Sequence, residues 1–260
     1  MKLLATDYDG TLKYQDHVTK EDRDAILRWK EAGNLFVIDT GRSMESILGE
    51  ATKYDLPVDY FVTNNGGMLF NNKQEELFSS YLDTALSLEI MKSAHTQPDC
   101  VSYVANDGFY RHRIIINDQL EEHRYPGLEP NMSEEDLWKM GKYAQIVISL
   151  ENRERAKELE TKLREEYGDR IEAYANKYVV DVVPKGMSKA TGIEIVRKKE
   201  GIDLEDLYTI GDAANDLTLM EYGYNGCVMD YALPEVKAHA KREYRCIAAL
   251  VDDVMKNANE

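Results

Sequence analysis

The sequence predicts an α/β fold, a parallel sheet with crossover helices interrupted by an inserted α+β segment, and three observations lead there. Short apolar runs alternate with amphipathic helical stretches up to about residue 63. The same alternation returns after about residue 184, and between the two the texture changes to strand-like runs gathered around one long helix.

Taken in order, LLATDYDGTL is a strand that stops at Asp7, and Gly10 breaks the pattern. TKEDRDAILRWKEAG follows as a helix, with Thr19 as N-cap, acids in its first turn and Gly33 at its end. Ile26 and Trp29 share its buried face, with Leu27 and Ala32 beside them. NLFVIDTGR is the second strand, residues 43–54 form a helix, and DYFVTNNGG is the third strand. In the insertion, VSYVAN, FYRHRIII and AQIVISL read as strands. A helix follows with Ala156, Leu159 and Leu163 at helical spacing, then strands IEAYA and YVVDVV. A helix over 188–200, the strand LYTIGD, a helix over 215–222 and the short strand NGCVM complete the pattern. This gives a discontinuous core domain, residues 1–82 and 184–260, and an inserted domain, residues 83–183, joined near Ser79-Ser80 and Val183-Pro184.

Composition bounds the function. A chain of 260 residues with 43% hydrophobic content can bury one large core or two modest ones. A net charge of -16 repels nucleic acid and anionic lipid, and no basic block opposes it. Cys100, Cys227 and Cys246 are odd in number and widely spaced, without a zinc or disulfide pattern, which fits a reducing cytoplasm. The apolar run near the N-terminus is too short for a signal peptide, and no run approaches the roughly 18 apolar residues of a membrane span.

Asp7 with Asp9, Thr40 with Gly41, Asn64 with Asn65, and Asp212 with Asp216 all follow predicted strands of the one sheet, so they converge at its carboxyl edge. Four carboxylates there repel by several kcal/mol at an effective dielectric of about 20. A hard divalent cation, Mg2+, resolves this, with Asp212 and Asp216 at i,i+4 facing the same ion. Lys189, behind Gly186, adds a second positive charge. With those charges offset, a carboxylate can attack phosphorus, while a second one serves as acid and then base.

The bland readings are a plain acidic turn at Asp7 and Asp9, an N-cap at Asp212, a turn at Thr40 and a solvated Lys189. Each is common singly; all four together at strand ends are not. In YRHRIII, Tyr110, His112, Ile114 and Ile116 share one face, which makes His112 a core-edge residue. Arg111 and Arg113 lie on the other face. They either face solvent or, if the helices pack on the Tyr110 face, look toward the phosphate site and read an anionic group. Arg42 is the better placed of the three for substrate. Met187 and the acidic helix ENRERAKELETKLREEYG read as packing and solvation.

DYDGT, a strand ending in TGR, the lysine of PKGMSK, and GDAAND resemble the four motifs of the haloacid dehalogenase superfamily of phosphohydrolases, in order, spacing and context. The insertion resembles the type IIB cap of Cof-like sugar phosphatases in size and element order. The resemblance implies a Rossmann-like core with an α+β cap, and a magnesium-dependent phosphatase acting on a small phosphorylated metabolite, a sugar phosphate, through an aspartyl phosphate. Asp7 would be nucleophile and metal ligand, and Asp9 the acid/base and a ligand through its carbonyl. Thr40, Gly41, Lys189 and Asn215 would hold the phosphoryl group; Asp212 would bind the metal, with Asp216 directly or one layer out. Two stretches depart from the family pattern: Met229-Asp230-Tyr231-Ala232 replaces a small polar loop, and RCIAALVDDV lacks the family's later segment. A phosphomutase or other phosphotransferase, and a non-catalytic phosphate-binding protein, are the rival functions.

Overall fold

The computed structural model describes residues 1–257. The core begins as the sequence predicts, with β1 (Leu3–Thr6), α1 (Lys20–Glu31), β2 (Leu35–Asp39), α2 (Met44–Lys53) and β3 (Tyr60–Thr63). Thr19 caps α1 by accepting from the Asp22 amide at 3.0 Å. Two strands absent from the sequence reading follow, β4 (Met68–Asn71) and β5 (Glu76–Ser79), an antiparallel hairpin that extends the sheet.

The inserted segment then runs through α3 (Thr84–Ala94), β6 (Cys100–Asn106), β7 (Arg111–Ile115), α4 (Glu134–Lys139), β8 (Gln145–Leu150), α5 (Arg153–Tyr167), β9 (Ile171–Asn176) and β10 (Val179–Pro184). The chain returns with α6 (Lys189–Glu200), β11 (Leu207–Gly211), α7 (Leu217–Glu221), β12 (Asn225–Met229), α8 (Pro234–Lys237), β13 (Arg242–Tyr244) and α9 (Ile247–Asn257).

The core sheet has eight strands in the order β13-β12-β11-β1-β2-β3-β4-β5, parallel from β13 through β3. Period-2 alternation loads both faces. Leu4, Phe36 and Ile38 pack with Ile26 and Trp29 of α1, Ile47 of α2 and Leu250 of α9. Leu3, Ala5 and Val37 pack on the opposite face with Ile193 and Val196 of α6 and Leu219 of α7. Each such fully buried aliphatic or Phe side chain contributes roughly 1.5–3 kcal/mol, which holds the strand ends, and the loops on them, in fixed positions.

The chain leaves β1 toward β2 on one side and returns at β11 on the other, so the topology switches direction at the β1/β11 pair. Loops after these two strands border the crevice that forms at such a point.

The inserted sheet has five antiparallel strands in the order β7-β6-β8-β10-β9. Its Tyr103, Ile114, Ile146, Ile148, Val180 and Val182 pack under Leu86 and Ile90 of α3, Leu137 of α4, and Ala156, Leu159 and Leu163 of α5. Tyr110 does not join them: β7 starts at Arg111, and Tyr110 is 52% exposed. His112 is buried and contacts Asn131 and Asp107.

The other face, which carries Val104, Val147 and Val179, is partly covered by Tyr125 and Leu128 of the segment 116–133. This face meets the core. A free amide in the first turn of α2, on Glu45, donates to the Phe109 carbonyl at 2.9 Å, and Asn106 Nδ2 donates to Asn64 Oδ1 at 2.7 Å. Among the described residues, no helix is long and apolar enough to cross a membrane.

Candidate active site

The site grows from adjacent loop starts. Thr6 pairs with Ile210 across β1 and β11, so Asp7 and Asp212 emerge next to each other. Asp7 is tied down by its own amide, which donates to the Ile210 carbonyl at 2.9 Å. Gly10 turns with φ +94°, and a Cβ there would lie 2.6 Å from Asp212 Oδ2, so only glycine lets the β1 loop pass this close. Thr11 Oγ1 fixes Asp212 by donating to its Oδ1 at 2.7 Å. Asp216 accepts from the Asp212 and Ala213 amides at 2.9 and 3.0 Å, which folds the loop after β11 around its carboxylate.

Lys189, the first residue of α6, extends through the core with its side chain fully buried. Its Nζ lies 2.5 Å from Asp7 Oδ1 and also donates to Asp216. Burial alone would lower its pKa; Asp216, Asp7 and Asp39 outweigh that and hold it above the ordinary lysine value.

Burial pushes the Asp7 carboxyl well above the usual range, with Asp216 and Asp212 adding to it and Lys189 opposing. Asp212 is pushed up to about 6, first by burial and then by Asp216. Asp39, at the end of β2, is fully buried without a hydrogen-bond partner, and burial raises it to about 8.

Asp9 sits apart from this cluster. Arg42 grips its carboxylate with Nε and Nη2, each at 2.6 Å, and Arg124 approaches at 4.0 Å. Burial would raise the Asp9 pKa, but the Arg42 hydrogen bonds and charge, with Arg124 and Lys13, hold it below the ordinary value. Arg42 is itself seated over the Tyr8 ring, 5.2 Å from its centroid, and donates to Ser46 at 3.1 Å.

Asp7, Asp9, Thr40, Gly41, Asp212 and Asn215 line one small cavity of about 30 Å³, with Arg124, Asn176, Lys177 and Asp181 closing it from the inserted segment. A larger cavity of about 470 Å³, beside Tyr174 and Gly186, contains none of the aspartates.

Of the arginines marked in the sequence, Arg42 and Arg111 border a second, adjoining cavity. Arg113 does not. Its guanidinium donates to the Tyr125 and Leu128 carbonyls at 3.3 and 2.9 Å and to Glu122 at 3.2 Å, so it anchors the segment 116–133. Four residues at the site escape sequence reading, among them Asn176 at the end of β9. Arg124 lies in a stretch without periodicity, and Lys177 in a turn with φ +56°. Asp181 carried a signal, a lone carboxylate in the apolar run VVDVV; it accepts from Gln145 at 2.9 Å. The departing loop after β12 has a structural role: Tyr231 stacks on Tyr14 with centroids 4.4 Å apart, and burial followed by Asp212 raises its hydroxyl pKa.

The profile of the haloacid dehalogenase-like hydrolases matches residues 4–247. The chain belongs to that family. Within it, the 5-amino-6-(5-phospho-D-ribitylamino)uracil phosphatase of Bacillus subtilis is 24% identical, over 91% of this chain and 90% of its own. The HMP-PP phosphatase of Serratia proteamaculans is 23% identical, over 91% of this chain and 86% of its own. A solved HAD/COF-like hydrolase from Plasmodium vivax superposes with a TM-score of 0.84 at 21% identity, covering 99% of this chain and 96% of its own. A subclass IIB sugar phosphatase of the same superfamily gives 0.80 at 21% identity, covering 99% of both chains. The fold is therefore that of the haloacid dehalogenase-like hydrolases, with its second, antiparallel sheet included.

Members of this superfamily use a divalent metal, and the residues present fit one. Ligand atoms of Asp7, Asp212 and Asp216 lie within 4.8 Å of one another. The donor set is all oxygen, which suits a hard cation. Three carboxylates face the one ammonium of Lys189, which leaves the cluster two negative charges in excess when all three are ionised.

Proposed function

We propose that this hydrolase is a magnesium-dependent phosphomonoesterase that acts on a small phosphorylated metabolite, a sugar phosphate, through an aspartyl phosphate on Asp7. The observation that carries the reading is the Lys189 ammonium placed 2.5 Å from Asp7 Oδ1 inside a carboxylate cluster that opens onto Asp9, Thr40, Gly41 and Asn215. Two of the relatives are named as phosphatases of small phosphorylated compounds, which supports the same substrate class.

In this reading Asp7, Asp212 and the Asp9 backbone carbonyl, with Asp216 directly or one layer out, would hold magnesium, which would supply positive charge to offset the phosphoryl oxygens. Lys189 neutralises Asp7 from the buried side and leaves its other carboxylate oxygen free to attack phosphorus. Thr40, the Gly41 amide and Asn215 orient the phosphoryl group. The bond from phosphorus to the leaving oxygen breaks as Asp9 delivers its proton to that oxygen. Water then attacks phosphorus, Asp9 takes the water's proton, and the bond to Asp7 breaks, releasing inorganic phosphate.

Arg42 holds Asp9 ionised in the structure, so Asp9 takes up a proton only as Arg42 shifts toward the incoming anion. Residues 83–183 act as a lid on the core formed by 1–82 and 184–260, and docking of Asn106 and Phe109 on the core shuts out bulk water.

The test is release of inorganic phosphate from a panel of phosphorylated sugars with magnesium, repeated with chelator. Release that chelation abolishes is expected. Transfer of the phosphoryl group to a second sugar without free phosphate would identify a phosphotransferase instead.

A further inference from the structure

Next to the phosphate cavity lies a second one of about 70 Å³, lined by Arg42, Ser43, Asn106, Arg111, Arg124 and Tyr125; it shares Gly41 and Arg124 with the first. Its volume is that of about two waters, enough for one carboxylate or phosphoryl group. Three guanidinium groups border it in a chain that carries 48 acidic residues against 32 basic ones.

Their pairing is uneven. Arg42 is satisfied by both oxygens of Asp9. Arg124 reaches a carboxylate only at 4.0 Å, the same Asp9 that Arg42 already holds. Arg111 has no carboxylate in ion-pair range among the described residues, and its buried Nε has no hydrogen-bond partner. Arg113, two residues along the same strand face, also has a buried Nε without a partner, but its two terminal nitrogens pair with Glu122 and two carbonyls, which is what a structural arginine does here.

A planar, permanently charged fork that is half-buried and unpaired is complementary to an anion that brings its own oxygens. The scissile phosphoryl group cannot be that anion while it lies at Asp7, because the second cavity contains neither Asp7 nor Asp212.

We infer that the substrate carries a second anionic group, a carboxylate or a second phosphoryl, seated between Arg111 and Arg124. This rests on the phosphatase reading above and narrows its substrate class. Tyr125, beside Arg124 in the wall, bounds the pocket on the lid side, so selection for the second charge takes place as the lid closes.

Competition against hydrolysis of p-nitrophenyl phosphate tests it, with three probes of one carbon-chain length. Glycerol 3-phosphate has a single anionic group, 3-phosphoglycerate adds a carboxylate, and propane-1,3-diol bisphosphate adds a phosphoryl. At least one of the latter two is expected to inhibit tenfold or more better than glycerol 3-phosphate, and which one does so names the group. Arg111→Gln and Arg124→Gln each bring that ratio toward one, while Arg111→Lys and Arg124→Lys keep part of it. The same ratio is expected in dissociation constants measured by calorimetry on Asp7→Asn protein, which reads binding without turnover. Equal inhibition by all three probes, or a ratio that survives both glutamine variants, overturns the second-anion site and leaves the phosphatase reading intact. Failure to hydrolyse p-nitrophenyl phosphate with magnesium present overturns that reading itself.

Discussion

Arg42 closes a fork on Asp9, with Nε and Nη2 each 2.6 Å from a different carboxylate oxygen. Both side chains are mostly buried, at 19% and 29% exposure, so the pair is not discounted to a surface ion pair. Hydrogen bonds between charged groups contribute about 1.5–3 kcal/mol. A double-mutant cycle with Arg42→Gln and Asp9→Asn, read by denaturant unfolding, is expected to give a coupling of about 1–3 kcal/mol. Additive effects of the two changes would show that the fork does not hold the two loops together.

Lys189 ties Asp7 to Asp216 in the fold, and in the proposed reaction it acts in the chemistry as well. Lys189→Met leaves Asp7 and Asp216 buried without their cation, and removal of one partner from a buried ionic cluster destabilises by about 3–5 kcal/mol. Thermal unfolding should show that loss, with no detectable turnover. Magnesium should raise the melting temperature of the variant more than that of the wild type, because it restores positive charge to the cluster; an equal rise in both proteins would contradict this.

Asp39 makes stability depend on pH in a definite direction. Burial first, with Asp216 adding and Lys189 opposing, raises its pKa from 3.8 to about 8 in the folded state. Between those values the unfolded chain has released the proton and the folded one retains it, so stability falls as pH rises through the window. Asp39→Asn removes this titration. In chelator, the stability of the variant relative to wild type should increase from pH 5 to pH 8 and change little below pH 4. A constant difference across that range would place Asp39 in a solvated or paired environment.

Gly10 is one of the tight points of the site. Gly10→Ala combines a φ of +94° with a Cβ 2.6 Å from Asp212 Oδ2, so something must shift. A loss of roughly 1 kcal/mol or more is expected from the backbone alone. Displacement of Asp212 should weaken magnesium binding in calorimetric titration, and unchanged metal affinity would mean that Asp212 is not a ligand.

The core strands and helices were legible because their side chains obey simple periods: Leu3/Ala5 against Leu4, Val37 against Phe36/Ile38, and Ile26 with Trp29 on α1. The aspartates, Thr40, Gly41, Asn215 and Lys189 were legible because chemistry and family motif coincide at strand ends, and all except Asp216 and Lys189 line the cavity itself.

The β4–β5 hairpin escaped because its strands are four residues each, separated by polar Asn, Lys, Gln and Glu, and β5 lies at a half-exposed edge. Arg111 and Arg113 read as equivalent, since they alternate identically on β7; what separates them is the segment 116–133, which takes up the Arg113 guanidinium with Glu122 and two carbonyls but meets Arg111 through its backbone carbonyl, to which Asn131 donates at 3.1 Å. Arg124 belongs to that same segment. Its place at the site depends on tertiary contacts, the ion pair of Glu122 with Arg113 among them, that no local pattern encodes.

The most direct measurement is rapid acid quench of the enzyme during magnesium-supported turnover, followed by peptide mass spectrometry. A phosphoryl group on the peptide that carries Asp7, located at that residue and absent from Asp7→Asn protein, is the expected result. Turnover without any phosphorylated peptide, or with the phosphoryl group on another side chain, would contradict the assignment of Asp7 as nucleophile.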